Sequence, residues 1–154
     1  MAQSTKLFLV ALAILVSAGS FGVYSAFLEA SETPIPASVQ LIIGKKIVEA
    51  KVARADKELE QGLSGISQLM EDEGMLFVLP KNKKTKFHMK GVKIPLSICY
   101  LDWRGKILKM EDMNPETPDL IYEAPDKTRY ALEMNLGWFL RDGLKKGDQI
   151  RRKS

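Results

Sequence analysis

GMLFVLPKNKKTKFHMKGVKIPLSICYLDW, running from Gly74 to Trp103, packs more apolar and β-prone sequence into few residues than any other stretch of the chain. Gly74-Met75-Leu76-Phe77-Val78-Leu79 is a short apolar run closed by Pro80, the pattern of a buried strand rather than a helix. A lysine-rich loop follows, then the extended Phe87-His88-Met89. After Pro95 comes a second β-prone run, Ile98-Cys99-Tyr100-Leu101. This stretch is predicted to be the centre of the core, with the rest of the chain wrapped around it.

Working outward, Val39–Ile43 and Ile47–Ala53 flank Gly44-Lys45-Lys46 and predict a hairpin. Asp56 is expected to cap a short helix ending near Gln61, with Leu59 inward and Gly62 as the stop. Ser67–Glu73 is expected to hold another helical turn, with Leu69 and Met70 packed inward. Downstream, Trp103–Lys106 reads as a turn returning the chain in the strand Ile107–Met110. Pro115, Pro118 and Pro125 make Asn114–Asp126 an irregular surface excursion. Arg129–Met134 resumes a strand with Tyr130, Leu132 and Met134 on one face. Gly137–Gly143 fits a short helix or turn, and Gln149–Arg152 a final strand. The sum is mostly β (α+β): a compact β-sandwich or partly closed barrel with one or two short helices, spanning residues 38–154.

Ahead of that domain, Leu7–Leu28 carries no charged residue over about 22 positions, enough to cross a bilayer core. Lys6 precedes the run, and Glu29 and Glu32 follow it, which orients the amino terminus to the cytoplasm and the domain outside, periplasmic or extracellular. Residues 1–29 are therefore read as a signal anchor or transmembrane helix. A cleaved signal peptide with an exit near Val16–Ser20 is the alternative, and would make the domain secreted. Residues 30–37, ASETPIPA, form a stiff proline-containing tether.

The 154 residues suffice for one domain with a proper core, and the net charge of +4 is only mildly basic. Cys99 is the single cysteine, which excludes an intramolecular disulfide; its apolar strand predicts a buried thiol. His88 is the only histidine, and no metal-ligand spacing, Ser-His-Asp order or phosphate-cradling glycine loop accompanies it, so no metal or cofactor is expected. Lys81, Lys83, Lys84 and Lys86, with Lys90 and Lys93 beyond them, make a basic surface beside the central motif, either solvated or facing anionic headgroups. Glu133 lies between Leu132 and Met134, so strand alternation turns it to the opposite face, as a structural acceptor for Arg129, a lysine or backbone N–H groups, or as a ligand contact. Phe87, Tyr100, Trp103, Tyr122, Tyr130, Trp138 and Phe139 belong either to core and rim or to a sugar- or lipid-binding groove. Trp138-Phe139-Leu140, beside Gly137, is expected to present an exposed apolar contact surface.

Gly62-Leu63, Gly74-Met75-Leu76-Phe77, Phe87-His88-Met89-Lys90, Ile94-Pro95-Leu96, Leu132-Glu133, Gly137 and Gly147-Asp148 stand in order between about Val48 and Ile150. In this the chain resembles the uncharacterised family known as domain of unknown function one hundred and ninety-two. Its members typically run G-L-M, G-M-L-F, F-W-M-K-N-T-x-I-P-L-D-I, L-E with a glycine beyond it, and G-D. The resemblance implies a β-rich, sandwich-like fold and no assigned reaction. This chain departs from the pattern at Ser64, His88, Gly91, Val92 and Ser97, so the amide, hydroxyl and carboxylate of the central motif are missing. That argues against any catalysis shared through those groups.

The functional expectation is a membrane-anchored, extracytoplasmic binding or accessory module rather than an enzyme. It would dock on an envelope protein or membrane complex, touching the bilayer through its amino-terminal segment, with no nucleic-acid partner. The alternative is a small-ligand or polysaccharide-binding domain whose groove lies near Phe87, His88, Met89 and Glu133. A weaker alternative is a hydrolase using Glu133 and Asp102.

Overall fold

Residues 37–81 and 84–154 are described by the computed structural model. The expected anchor (1–29), all but the last residue of the tether (30–37) and Lys83 lie outside the described residues. Among the described residues, no helix is long and apolar enough to cross a membrane.

Alternating exposed and buried residues make β1 (Ser38–Ile43) and β2 (Lys46–Ala53) the expected antiparallel hairpin, with Lys46 already in β2, opposite Ile43. Gly44, at φ +59°, supplies the left-handed turn between them. Helix α1 (Asp56–Gln61) follows and ends at Gly62 as expected. Asp56 is not its cap: the cap position is Ala55, and the Glu58 carboxylate instead accepts the Arg54 and Ala55 N–H groups at 2.9 Å each. The expected helical turn over Ser67–Glu73 is also absent. The Asn135 amide donates to the Leu69 and Met70 carbonyls at 3.1 and 2.9 Å, holding the backbone irregular, and Met70 faces solvent. Leu69 is half-buried as expected.

The chain then enters β3 (Glu73–Val78), which pairs parallel to β2. The short β4 (Lys86–Phe87) precedes β5 (Leu96–Leu101) and β6 (Ile107–Met113), an antiparallel pair. The proline-rich excursion contains β7 (Tyr122–Glu123), which pairs with β4 as a separate two-stranded ribbon. Strand β8 (Tyr130–Asn135) inserts antiparallel between β3 and β5, helix α2 (Trp138–Arg141) follows, and β9 (Arg151–Arg152) ends the chain.

The seven-stranded sheet runs β6-β5-β8-β3-β2-β1-β9 and curls into a half-barrel. Its two edges meet through one segment. The Ile107 N–H donates to the Asp148 carbonyl at 2.8 Å and the Ile150 N–H to the Gly105 carbonyl at 2.9 Å, while the Lys153 N–H reaches the Gln40 carbonyl of β1 at 2.8 Å. Of the two sequence-based alternatives, the partly closed barrel is the one observed.

The two faces of the curled sheet carry two apolar clusters. Leu41, Ile43, Val48, Leu76, Cys99, Leu101, Tyr130, Leu132 and Met134 fill the concave side. Phe77, Leu79, Phe87, Met89, Ile98, Tyr100 and Ala131 lie on the other side, beneath α1, the loop after it and the β4–β7 ribbon. The central strands are therefore buried on both faces, which is why Gly74–Leu79 and Ile98–Leu101 are continuously apolar.

Trp138 and Phe139 do not form an exposed contact surface. They are 0% and 1% exposed, inside the concave cluster, and only Leu140, at 67%, faces solvent. Their rings pack edge to face at 5.6 Å. The Trp138 indole N–H donates to Asp72 at 3.0 Å, and the Lys46 ammonium stands 5.2 Å from its ring. Helix α2 thus plugs the half-barrel instead of advertising a binding face.

Candidate functional site

Alternation along β8 sends Tyr130, Leu132 and Met134 into the concave cluster and Glu133 to the opposite face, as the sequence predicts. There Glu133 stands between Met75 of β3 and Ile98 of β5 in register, two apolar neighbours that offer its carboxyl nothing. It is 5% exposed. No hydrogen bond or ion pair of its carboxyl to Arg129, a lysine or a backbone N–H is seen among the described residues. Burial disfavours the charged form and pushes its pKa up to about 8, so near neutral pH the group is largely a protonated acid able to donate.

Glu133 lies at the floor of a groove of about 540 Å³. Phe77 and Leu79 share the floor; Leu59 and Gly62–Ser64 form one wall, and Lys84–His88 the other. Gly62 is required here by its backbone, which takes φ +47°. The walls are stitched together below the mouth: the Gly65 N–H donates to the Gly91 carbonyl at 2.9 Å, and the Ser64 hydroxyl to the Lys90 carbonyl at 3.2 Å. Phe87 stacks edge to face on Phe77 at 5.4 Å and on Tyr100 at 5.9 Å, fixing the aromatic side of the groove.

The expected site residues separate. Phe87, His88 and Glu133 share this groove. Met89 is buried in the apolar cluster beside it, and Trp138 and Phe139 sit on the other side of the sheet. Lys84 and Lys86 line the groove with Lys90. Lys86 is paired with Glu123 at 3.2 Å and Lys90 with Asp119 at 2.9 Å. Exposed His88 accepts the Lys90 N–H on Nδ1 at 3.3 Å, holding the rim in a tight turn. Asp102 does not reach the groove: its carboxylate accepts the Arg104 and Lys106 N–H groups at 2.8 and 3.0 Å and shapes the turn after β5. The pair Glu133 and Asp102 therefore does not share a cleft. Leu59, Gly62, Ser64 and Phe77 also line the groove, with Asp56 and Glu60 beside them, and none of these is a site residue in the sequence reading. The available signal was Gly62-Leu63, a glycine stop at a helix end inside an ordered motif.

Residues 39–152 match the family profile DUF192, described as "Uncharacterized ACR". The chain belongs to this family. No curated protein matches it. Among solved structures, the DUF192 domain is similar to a Sinorhizobium meliloti protein provisionally labelled a transcription regulator. That match has 27% identity and a TM-score of 0.68, and covers 75% of this chain and 92% of the other. It is also similar to a protein of unknown function from Novosphingobium aromaticivorans, with 22% identity and a TM-score of 0.66, over 87% of this chain and 99% of that one. The second likeness bears on the fold alone. Within the DUF192 domain, four of the seven ordered motifs contribute to this groove: Gly62-Leu63, Phe77, Phe87-His88 with Lys90, and Glu133 border it, although they are spread over more than half of the described sequence.

Proposed function

We propose that this DUF192 domain is a small-ligand-binding module, carried outside the cytoplasm by its amino-terminal segment, and that its ligand enters the groove above Glu133. The single observation that supports this reading is a carboxyl, 5% exposed, that lines the groove beside Phe77, Leu79 and Phe87 with no hydrogen bond or ion pair seen among the described residues. Such a group costs stability wherever it is not used, and an apolar pocket with a few directed polar groups is the usual form of a small-molecule site. A protonated Glu133 donates its O–H to a carbonyl, hydroxyl or ether oxygen, while Phe77, Leu79 and Phe87 take an apolar body. Docking on an envelope protein, the other expectation, loses Trp138 and Phe139 as its surface, because both are buried.

The test is a thermal-shift comparison of the full chain in mild detergent with Glu133→Leu and Glu133→Gln, against fractionated extracts of the source cells' small molecules and lipids. At least one fraction is expected to raise the wild-type Tm, to leave Glu133→Leu unmoved and to act weakly on Glu133→Gln. If no fraction distinguishes wild type from Glu133→Leu, the reading is wrong.

A further inference from the structure

A second groove, of about 610 Å³, adjoins the first and shares Leu79, Lys84 and Thr85 with it, but its chemistry is different. Lys81, Lys84, Lys127 and Arg129 line it, against Asp126 as the only acid. Half-exposed Trp103 adds a planar apolar flank. Lys84, Lys127 and Arg129 together give this concavity a positive field.

Two further features point the same way. The Arg129 backbone is clamped between strand ends: its N–H donates to the Leu101 carbonyl at 2.8 Å, and its carbonyl accepts the Leu79 N–H at 3.0 Å. The side chain lines the groove with its guanidinium 5.7 Å from the Tyr130 ring, and its Nε is buried with no hydrogen-bond partner. A buried guanidinium donor left unmatched costs free energy, and an oxyanion is the group whose geometry the guanidinium fork fits. Lys127 is the only non-glycine among the described residues with positive φ, at +68°. Its turn is held by the Thr128 hydroxyl on the Pro125 carbonyl at 2.6 Å. That left-handed conformation is costly for lysine, and it is kept on the wall of this groove.

We propose that this second groove binds a phosphate-type oxyanion, with Arg129 Nε–H as the directed donor and Lys84 and Lys127 as the surrounding charge. The chemistry is common to a soluble phosphate ester and a phospholipid headgroup. The proposal does not depend on the Glu133 groove.

The Nε–Hε resonance of Arg129 reports on the site directly. The ¹⁵N-labelled full chain in neutral detergent is titrated with glycerol phosphate, with sodium chloride at equal ionic strength as the control. In parallel, the chain is placed in phosphatidylcholine nanodiscs with and without phosphatidylglycerol. A saturable shift with glycerol phosphate that chloride does not reproduce supports a soluble ester as the ligand. A shift seen only with phosphatidylglycerol supports a headgroup. No shift in either arm overturns the proposal. Arg129→Lys keeps the charge but removes the directed donor, and is expected to weaken binding, read on the Lys127 and Thr128 amides, by about tenfold. Binding as tight as wild type would sink the role of Nε. Should Arg129→Lys fail to fold, Lys127→Gln serves, with an expected loss of about threefold; undiminished binding there counts equally against the site.

Discussion

A leucine would fill the place of Glu133 at less cost. The carboxyl stands in register between Met75 and Ile98, 5% exposed and with no hydrogen bond seen among the described residues, and a poorly matched buried polar group costs about 1–3 kcal/mol in proteins. Glu133→Leu is therefore expected to stabilise the domain at neutral pH by about that amount while abolishing ligand response, the exchange typical of residues retained for function. The raised pKa adds a pH signature. Between the ordinary value of 4.5 and about 8, the folded chain holds a proton that the unfolded chain has released. Stability from this group is then complete below pH 4.5, falls as pH rises at up to about 1.4 kcal/mol per unit, and is gone above about 8. Urea titrations across that window should show the decline in wild type and its removal in Glu133→Leu; parallel curves would mean that Glu133 ionises normally. Alternation made the facing of Glu133 legible from Leu132 and Met134, but the emptiness around its carboxyl was not legible. That depends on which side chains the covering loops carry over it, a matter of tertiary placement. Gly91 shows the same limit at another residue. It sits at φ +75°, where the family pattern carries asparagine, the other residue that tolerates the left-handed region.

Among the elements, those with a repeating pattern were legible and the shortest were not. The β1–β2 hairpin was readable because six to eight residues alternate on each side of a glycine turn, and β3, β5 and β8 because continuous apolar runs need cover on both faces. Helix α2 has four residues, too few for a period, and three large apolar side chains in a row look the same whether they face solvent or plug a barrel. Docking decided it: Asp72 takes the indole N–H, and Lys46 covers the ring. Phe139→Ala should accordingly cost about 3–5 kcal/mol, as large core truncations do, with the near-ultraviolet signal of Trp138 lost in step. A folded domain of unchanged stability would return α2 to the surface and restore it as a contact face.

At the scale of the whole molecule, one short segment decides between sandwich and barrel. Residues 147–153 bond to the start of β6 on one side and to β1 on the other, so both free edges of the sheet are closed by the same few residues. Nothing in the composition of that segment announces this; Gly147-Asp148 and Gln149–Arg152 read only as a turn and a strand. Ile150 anchors it, fully buried in the concave cluster. If closure is one cooperative event, Ile150→Ala must loosen both edges together. Its expected cost is about 2–5 kcal/mol. Hydrogen exchange should then show faster loss at Ile107 N–H, bonded to Asp148, and at Lys153 N–H, bonded to Gln40, by the same factor. The amides of β8, at the centre of the sheet, should retain the greater protection. Acceleration at Ile107 with Lys153 unchanged would instead mean that the two edges are closed independently, and that the half-barrel opens from the β6 side without releasing β1.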